Sequence, residues 1–566
     1  MKVVIIGGVA GGATAAARLR RLNEGAEIII LERSGYVSYA NCGLPYYIGG
    51  TIKRRSALTL QTPESFKERF NIDVRVNSEV TEIDRKRKEV TVRGPEGEYR
   101  ESYDKLIYSP GARPIVPEGG NQEGFFTLRT VEDTFAIDDF ISAHSPKTAL
   151  VAGGGFIGLE AAENLVKRGI KVTVIQGSAQ VLPQVDYDMA CFLHAELRSK
   201  GVELALSSRV TELKSTKNGV IAVAGDKQYS ADFCIVALGV MPETHLAEQA
   251  GLELGIKKAV LTDGHMRTSD PDIYAVGDAV QIKNSLTGQD ALFALAGPAN
   301  KQGRIAADNI CGLASSYAGA IGSSVIKVFG LTCAFTGLSY AAARRAGIDC
   351  ERVVLFSPSH ATYYPGARNM TLKVVFERGS GRILGAQAVG GEGADKRIDV
   401  LATAIKAGMT AENLQELDLA YAPPYSSAKD PVNMAGYVIE DVLGGIKQYH
   451  WEELPEVLAD KSNFILDVRT PEEFAEGHFS GAVNIPVDDL RARIKELPED
   501  KKIYVNCHSG LRSYIACRIL SANGYDCYNF SGGYRLYAAV CGEAEEASVP
   551  RHPLSLIHIS EPTRLQ

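Results

Sequence analysis

The sequence predicts an α/β protein built from several domains. Two strand–turn–helix units with glycine-rich turns occur in it, one at the start of the chain and one near residue 150. After residue 450, apolar strands again alternate with helices. A chain of 566 residues with 45% hydrophobic content is long enough to bury several cores. We therefore expect two strand–helix–strand domains and a small α/β domain near the C-terminus.

The first unit reads KVVIIGGVAGGATAAARLRRL and is followed by the strand EIIILE. Its small residues let the backbone approach a pyrophosphate at the helix N-terminus, where free N–H groups favour anions. Glu32, at the end of the second strand, could accept a hydrogen bond from a ribose hydroxyl. Val9 replaces the middle glycine of GxGxxG, and alone such a loop could also be an ordinary structural turn. The candidate cofactor-binding residues are Gly7, Val9, Ala10, Gly11, Gly12, Glu32 and Arg33.

The second unit, TALVAGGGFIGLEAAENLVKRGIKVTVIQ, carries the complete pattern. Where an acidic residue usually ends the second strand, this chain has Gln176, which can still bond a 2′-hydroxyl. No Arg or Lys follows it to receive a 2′-phosphate, so the sequence favours NADH over NADPH. The candidate nucleotide-binding residues are Gly153, Gly155, Gly158, Glu160 and Gln176.

A third element, TSDPDIYAVGDA, places Asp278 after a strand and a glycine, where a carboxylate can meet the hydroxyls of a ribityl chain. Together GGVAGG, YDKLIYSPGARP, AGGGFIGLEAAE, IVALGVMPET and IYAVGDA resemble the FAD-dependent pyridine nucleotide–disulfide oxidoreductases over about residues 1–445. The resemblance implies an FAD domain (1–110 and 236–321), an inserted NAD domain (111–235) and an α+β dimerisation domain (322–445). It adds Gly111 and Ala279 to the candidate cofactor-binding residues.

A lone cysteine, Cys42, lies in SYANCGLPYY. A free Cys is often just a small buried hydrophobe. Most members of the family carry two cysteines four residues apart, but here the next one is Cys191. A single redox thiol would cycle through a sulfenic acid, a persulfide or a mixed disulfide. Pro45 suits the first turn of a helix, so we expect Cys42 just before a helix N-terminus, with a lowered pKa.

SYANCGLPYY, AGPANKQGR, HATYYPGA and YAPPYSSAKDPVN resemble the coenzyme A-disulfide reductase group. In that group the Cys alternates between a thiolate and a mixed disulfide with coenzyme A. The resemblance implies that Ser38 and Asn41 lie at the thiol and that Tyr363 and Tyr421 of a partner subunit help to protonate the departing thiolate. Tyr364 and Tyr425 are their neighbours, and any of these tyrosines could instead serve packing. The candidate coenzyme A-binding residues are Thr14, Arg18, Arg21, Asn300, Arg304 and Lys429, although charged helix residues are often only solvated.

Residues 450–545 resemble a rhodanese domain, through NFILDVRTPEEFAEGHFSGAVNIP and KIYVNCHSGLRSYIACRILSANGY. Cys507 ends a strand, and the loop amides and following helix N-terminus should point at its sulfur. Arg512 should add positive charge, whereas His508 and Ser509 should only shape the loop. Four residues separate Cys507 from Arg512, which favours sulfur chemistry over the phosphatase spacing of five. An inactive docking module is the alternative.

Composition excludes other classes of function. A net charge of −7 and a pI near 5.9 argue against a nucleic-acid partner. Because a strand and a glycine loop open the sequence, we expect no signal peptide, and the sequence has no apolar run of membrane length. We therefore expect a cytoplasmic protein without membrane association. Its ten cysteines lack CxxC spacing, which disfavours zinc and disulfide frameworks. Residues 550–566 look like a vector-derived tail.

These features indicate a homodimeric NADH-dependent flavoprotein. We expect NADH to reduce FAD and the flavin to reduce the sulfur held on Cys42, with coenzyme A persulfide, polysulfide or coenzyme A disulfide as acceptor. The rhodanese domain would deliver sulfane sulfur, since a tethered domain raises the effective concentration of its sulfur. Two alternatives stay open: an NADH oxidase or peroxidase that uses a sulfenic acid on Cys42, and a flavin-bound sulfur carrier or redox sensor.

Overall fold

The computed structural model describes residues 1–548, so the tail predicted at 550–566 lies outside the described residues. The elements of the first 322 residues, in chain order, are β1 (Lys2–Ile6), α1 (Ala10–Leu22), β2 (Glu27–Leu31), α2 (Leu44–Ile48), α3 (Pro63–Phe70), β3 (Asp73–Arg75), β4 (Glu79–Asp84), β5 (Glu89–Gly94), β6 (Gly97–Ser102), β7 (Lys105–Tyr108), β8 (Ala112–Pro114), β9 (Phe125–Phe126), α4 (Val131–His144), β10 (Thr148–Ala152), α5 (Phe156–Lys167), β11 (Lys171–Ile175), α6 (Tyr187–Ser199), β12 (Glu203–Ala205), β13 (Glu212–Thr216), β14 (Gly219–Ala224), β15 (Lys227–Ala231), β16 (Phe233–Val236), β17 (Val240–Pro242), α7 (His245–Gln249), β18 (Ile273–Ala275), β19 (Ile282–Lys283), β20 (Asp290–Ala291) and α8 (Ala296–Ile310).

The elements that follow are β21 (Ser324–Val328), β22 (Leu331–Gly337), α9 (Tyr340–Arg345), β23 (Cys350–Pro358), β24 (Asn369–Glu377), β25 (Ile383–Gly390), α10 (Ala394–Ala407), α11 (Ala411–Glu416), α12 (Pro431–Leu443), β26 (Gln448–Tyr449), α13 (Leu454–Ala459), β27 (Phe464–Asp467), α14 (Pro471–Glu476), β28 (Val483–Asn484), α15 (Leu490–Arg493), β29 (Ile503–Asn506), α16 (Leu511–Ala522), β30 (Cys527–Phe530) and α17 (Gly533–Ser548).

Two parallel five-stranded sheets form the core of the first part of the chain. One has the strand order β18-β7-β1-β2-β3 and the other the order β12-β11-β10-β16-β9. The central strands are apolar runs buried on both faces, as parallel sheets covered by helices require. In each sheet a central strand, β1 or β10, leads into a glycine loop and a helix, so the two loops occupy equivalent places.

The chain divides into two compact units. The first contains Met1–Ala179 and Val202–Gly322, and the second contains Gln180–Gly201 and Ser323 onward. Helix α6 therefore packs in the second unit, where Lys373 of β24 pairs with Asp188 at 2.8 Å and with Asp186 at 3.1 Å. All three side chains are buried, so each charge depends on the others for stability.

The second unit contains an antiparallel sheet and a parallel sheet. The antiparallel sheet has the order β21-β22-β25-β24-β23, with α10 packed against its central strands. The parallel sheet has the order β26-β30-β29-β27-β28 and alternates with helices α13 to α17. The α/β class and the small C-terminal α/β domain predicted from the sequence are confirmed.

All ten cysteines lie in the described part of the chain, and each is a free thiol there. Within residues 1–548 we find no helix that is both long and apolar enough to span a bilayer.

Candidate active sites

The first glycine loop allows no side chain at two of its positions. Gly7 has a φ of +94°, and a Cβ there would lie 2.2 Å from the Ser109 carbonyl oxygen. A Cβ on Gly12 would lie 1.9 Å from the Gly7 carbonyl oxygen. Val9, the residue that departs from the motif, is the N-cap of α1 with φ −99°, outside the left-handed region that favours glycine. The departure therefore leaves the tight turn intact.

The second loop repeats this geometry. A Cβ on Gly153 would lie 2.1 Å from the Ala237 carbonyl oxygen, and one on Gly158 would lie 1.9 Å from that of Gly153. Gly155 is the N-cap of α5 with φ −84°, and a Cβ there would have no neighbour within 4 Å. Both loops thus leave a bare backbone at a helix N-terminus, which fits the diphosphate of a dinucleotide.

The residues predicted to meet ribose also brace these loops. The buried Glu32 carboxylate accepts from the Gly8 N–H at 2.9 Å, and the Gln176 side-chain oxygen accepts from the Gly154 N–H at 2.9 Å. Arg33 is half-exposed and lies 3.7 Å from the Glu243 carboxylate. A ribose contact by Glu32 or Gln176 stays a prediction.

Arg129 is one of the residues that sequence reasoning missed. Its guanidinium pairs with the Asp278 carboxylate at 2.9 Å and donates to the Ala112 carbonyl oxygen at 3.2 Å. With the Asn41 amide oriented so that both ends are satisfied, Asn41 accepts from Arg129 at 2.9 Å and donates to its carbonyl oxygen at 3.0 Å. Arg129 therefore joins the thiol loop to the expected ribityl-binding carboxylate, and it follows β9 in FFTLRT, which carries no motif. Ala279 is buried in the turn beside Asp278, and a Cβ on Gly111 would lie 3.0 Å from Arg129.

Cys42 lies in a single 3₁₀ turn, Asn41–Gly43, directly before α2, and solvent reaches its side chain. The expected lowering of its pKa is not found. Desolvation by the surrounding protein raises the pKa of the Cys42 thiol, and the charges of Glu160 and Asp278 raise it further, against a lowering by Arg129. Helix α2 has only five residues, so its dipole is weak against two carboxylates.

Two further residues fix the surroundings of Cys42. Ser38 has a φ of +48°, and its N–H donates to the Gly8 carbonyl oxygen at 2.8 Å. This bond holds the thiol loop against the first glycine loop. Tyr46, one turn after Cys42, donates to Glu160 of α5 at 3.1 Å, and burial raises the pKa of that carboxyl. Glu160, on the helix that follows the second glycine loop, therefore lies close enough to Cys42 for its charge to act on the thiol.

The candidate coenzyme A residues of the first unit lie on α1 and α8, which are in close contact. A Cβ on Gly303 would lie 2.3 Å from the Gly11 carbonyl oxygen. The Thr14 hydroxyl donates to the Asn300 side chain at 2.9 Å, and Arg18 pairs with Asp308 at 2.7 Å. Arg21 and Arg304 are exposed, as is Lys429 in the second unit. Arg18 thus has an acidic partner already, whereas the other cations face solvent.

The structure brings Tyr363 and Tyr421 together. Their hydroxyl oxygens lie 2.7 Å apart, although the residues are 58 positions apart, and the side chains are 74% and 45% exposed. This hydrogen bond raises the pKa of Tyr363. Tyr364 and Tyr425 are exposed as well, so four tyrosines stand on one pair of loops of the second unit.

A buried arginine joins those two loops. Arg397 of α10 donates to the Ser359 carbonyl oxygen and to the Ser426 hydroxyl, both at 3.0 Å, and pairs with Asp430 at 3.0 Å. Asp430 in turn accepts from Ser426 at 2.6 Å and caps α12. Ser359 precedes Tyr363, and Ser426 follows Tyr421, so Arg397 fixes the spacing of the two tyrosine loops.

Cys507 follows β29 and is fully buried. The Gly510 N–H donates to its sulfur at 3.1 Å, and the Ser513 hydroxyl lies 3.2 Å from it. One loop amide at the N-terminus of α16 therefore points at the sulfur, as the sequence predicts. Ser513, which sequence reasoning missed, adds a second polar contact in CHSGLRS.

Arg512 has an acidic partner that the sequence did not predict. Its guanidinium forms a bidentate ion pair with Glu473 of α14, with distances of 2.6 and 2.7 Å, so its positive charge is already balanced. The pKa of the neighbouring His508 is lowered by burial and by Arg535, which keeps the imidazole neutral near pH 7. The sequence signal for Glu473 existed, but TPEE was readable only as a helix cap.

The chain matches three protein families in succession. Residues 1–303 match the pyridine nucleotide-disulphide oxidoreductases, residues 323–431 match the dimerisation domain of that family, and residues 450–539 match the rhodanese-like domain. FAD and NAD(H) are the cofactors of such enzymes, and the bare glycine loops described above fit their diphosphates.

Three known proteins are similar over most of the chain. The coenzyme A disulfide reductase of Staphylococcus haemolyticus is 38% identical over 449 residues, which are 78% of this chain and 100% of that protein. The structure of reduced Bacillus anthracis CoADR-RHD is 46% identical with a TM-score of 0.93, covering 96% of this chain and 98% of the other. A NAD-dependent persulfide reductase from A. fulgidus is 41% identical with a TM-score of 0.89, covering 95% and 100%. The chain therefore belongs to the pyridine nucleotide-disulphide oxidoreductases, as an enzyme that carries a C-terminal rhodanese domain.

Proposed function

We propose that the protein is an NADH-dependent reductase of coenzyme A persulfide, polysulfide and coenzyme A disulfide. One observation carries the proposal: two of the thiols lie in different surroundings. Cys42 is a single accessible thiol, whereas Cys507 is buried and its sulfur accepts a hydrogen bond from a loop amide. The similarity to a coenzyme A disulfide reductase and to a persulfide reductase supports this substrate class.

FAD, when bound, would supply the two electrons that NADH delivers to the sulfur at Cys42. Gly7 and Gly12 leave space for its diphosphate, and we assign the contact with its ribityl hydroxyls to Asp278, which pairs with Arg129. In the second loop, Gly153 and Gly158 leave an equivalent space for the diphosphate of NADH. Gln176 replaces the usual acidic residue, and no Arg or Lys follows it directly in the sequence, which supports NADH as the preferred reductant.

Cys42 is the residue of the chain that reacts with the sulfur substrate. Its thiolate attacks the coenzyme A sulfur of the persulfide, which forms a Cys42–coenzyme A disulfide and releases hydrosulfide. Two electrons and a proton then return the thiolate and free coenzyme A thiol. A sulfur leaving group needs that proton, and a hydrogen-bonded phenol is a suitable donor. We assign this to the Tyr363–Tyr421 pair of a second copy, in a homodimer formed through the dimerisation domain.

We assign sulfur delivery to the rhodanese domain. Cys507 would carry a persulfide stabilised by the Gly510 N–H, and the covalent tether keeps it near the reductase. Thr14, Asn300, Arg21, Arg304 and Lys429 would bind coenzyme A, through hydroxyl and amide groups and through positive charges matched to its phosphates.

The test compares NADH consumption with coenzyme A disulfide, coenzyme A persulfide, polysulfide, oxygen and peroxide. We expect the sulfur compounds to be turned over many times and oxygen and peroxide slowly. Cys42→Ser should abolish reduction of each sulfur acceptor while NADH still reduces the flavin, because a hydroxyl is a far poorer nucleophile. Oxygen or peroxide as the fastest acceptor would contradict the proposal and favour an oxidase or peroxidase, and turnover of only a few cycles would favour a sensor.

Cys507→Ser separates the two thiols. It should abolish sulfurtransferase activity and spare the reduction of small persulfides that reach Cys42 by diffusion. Loss of both activities, with normal flavin content and normal unfolding, would show that Cys507 is an obligatory relay and that the division of labour is wrong.

A further inference from the structure

The charge next to Cys507 is arranged unusually for a site that accepts anionic sulfur donors. The sulfur is met by the Gly510 N–H and the Ser513 hydroxyl, both uncharged. Among the cations near this loop, Arg512 has both terminal nitrogens bonded to the two carboxylate oxygens of Glu473, while Arg535 lies beside His508. At Arg512, a donor that enters from solvent therefore meets a neutral ion pair.

Glu473 is held in place independently of Arg512. It is the third residue of α14, where its carboxylate accepts from the Thr470 N–H at 3.0 Å and its own N–H donates to the Thr470 hydroxyl at 3.3 Å. The bond to Arg512, followed by the Thr470 backbone, lowers the pKa of Glu473 to about 2. The carboxylate is thus charged and fixed throughout the working pH range. Its side chain and that of Arg512 are each 30% exposed, so the pair lies between solvent and the buried thiol loop.

This arrangement acts differently on two kinds of sulfur donor. Thiosulfate is a dianion that needs a free cation, and here it would compete with a preorganised bidentate carboxylate for Arg512. A low-molecular-weight thiol persulfide reacts as its protonated form RS–SH, in which neither sulfur is charged, so its reacting group needs no such cation.

We propose that Glu473 is a specificity-determining residue, which occupies Arg512 and so selects thiol persulfides over thiosulfate as sulfur donors to Cys507. The inference rests on the proposed sulfur-transfer role of Cys507. In the favoured step the Cys507 thiolate attacks the terminal sulfur of RS–SH. A bond forms between Cys507 and that sulfur and the RS–S bond breaks. The departing thiolate takes up the proton that the transferred sulfur carried, which gives RSH and a Cys507 persulfide anion. No external oxidant or reductant is needed.

The test uses the full-length holoenzyme and two donors, thiosulfate and glutathione persulfide, with cyanide as the sulfur acceptor. Glu473→Gln keeps the size and hydrogen-bonding capacity of the side chain but removes its charge. We expect its kcat/KM for thiosulfate to rise by about tenfold or more, mainly through a lower KM, because freeing a charge pair is worth that much. The value for glutathione persulfide should change by less than about twofold.

Matched variants keep the result interpretable. Glu472→Gln changes the adjacent exposed carboxylate, which does not contact Arg512, and should leave both donors unchanged. Adding Arg512→Gln to Glu473→Gln should remove the gain for thiosulfate, since the freed guanidinium is its source. Glu473→Asp, which keeps the charge and the helix cap, is the second variant if Glu473→Gln does not fold, and it should show a smaller gain in the same direction.

An unchanged kcat/KM for thiosulfate in a folded Glu473 variant, or an equal fall for both donors, would overturn the inference. Cys507→Ser tells this failure from a failure of the proposed function. If that variant keeps sulfurtransferase activity, the role of Cys507 is wrong. If it is inactive while Glu473→Gln behaves like the wild type, only the role of Glu473 is wrong.

Discussion

The ionisation of Cys42 depends on three charged neighbours that the sequence does not place beside it. Glu160 lies on α5 and Asp278 after β18, and both raise the pKa of the thiol. Arg129, which follows β9, lowers it. Chain positions so far apart meet only because two parallel sheets fold next to the thiol loop, so the local motif predicted a lower pKa and the assembled site gives a higher one.

Removing the charge of Glu160 should make Cys42 more acidic. Because the pKa of the folded thiol is raised, Cys42 is protonated below that value and becomes reactive as pH rises through it. Glu160→Gln keeps a partner for Tyr46 but removes a charge that raises the pKa. The pH midpoint for alkylation of Cys42 by iodoacetamide, followed by mass spectrometry, should therefore fall. Arg129→Met should shift it upward, and two shifts in the same direction would contradict the electrostatic account.

Two glycines of the second loop should respond differently to alanine. Gly158→Ala places a Cβ 1.9 Å from a carbonyl oxygen, so the strand and helix must separate, at a cost of about 1–3 kcal/mol of unfolding free energy. Gly155→Ala meets nothing within 4 Å and should leave the unfolding free energy nearly unchanged. Since Gly155 borders the space assigned to the NADH diphosphate, its variant should instead weaken NADH binding. Denaturant unfolding and NADH titration together separate the two effects.

At the scale of elements, Arg397 shows how a buried ion pair can set the geometry of an exposed pair. Arg397 bonds to Ser359 of one loop and to Ser426 of the other. Tyr363 and Tyr421 of the same two loops share a hydrogen bond. Replacing one partner of a buried pair leaves the other charge unpaired, which costs about 3–5 kcal/mol. The tyrosine hydroxyls can stay in contact only while both loops keep their spacing.

Arg397→Met should therefore lower both stability and turnover. We expect a loss of about 3–5 kcal/mol of unfolding free energy and a fall in kcat for coenzyme A disulfide with little change in KM. Adding Asp430→Asn should restore most of the stability, because no unpaired charge then remains, but not kcat. Recovery of kcat together with stability would show that Arg397 is only a structural residue.

The elements themselves were largely predictable, whereas their side-chain partners were not. The two glycine loops, the thiol loop and the Cys507 loop follow from short patterns of small and apolar residues that act within one strand–turn–helix unit. Arg129, Arg397 and Glu473 are brought to the sites by tertiary contacts, and each sits in a sequence with no motif or with an ordinary capping pattern. A local pattern carries no information on which distant residue will form an ion pair with its charged side chains.

At the scale of the whole molecule, the rhodanese domain is fixed to the dimerisation domain of the same unit. Tyr514 donates to Asp441 at 2.9 Å, Arg352 pairs with Glu452 at 2.7 Å, and His450 lies 3.2 Å from Glu351. These contacts join α16 to α12, and the segment that follows β26 to β23. The rhodanese domain is thus part of the same folded body as the tyrosine pair, and its position is set by packing as well as by the chain connection at residues 444–448.

The proposed sharing of the reductase site between two subunits can be tested by mixing inactive variants. Cys42→Ser lacks the thiol, and Tyr363→Phe combined with Tyr421→Phe lacks the proton donors. In a dimer that contains one of each, the thiol of one subunit would meet the tyrosines of the other, so one of the two sites is intact. Random exchange of equal amounts makes half of the dimers mixed, and about a quarter of the wild-type activity should return.

The recovery should require exchange of subunits and should appear at the rate at which labelled subunits mix. If each subunit carried a complete site of its own, every site in the mixture would lack either the thiol or the tyrosines, and the activity would stay at the level of the separate variants.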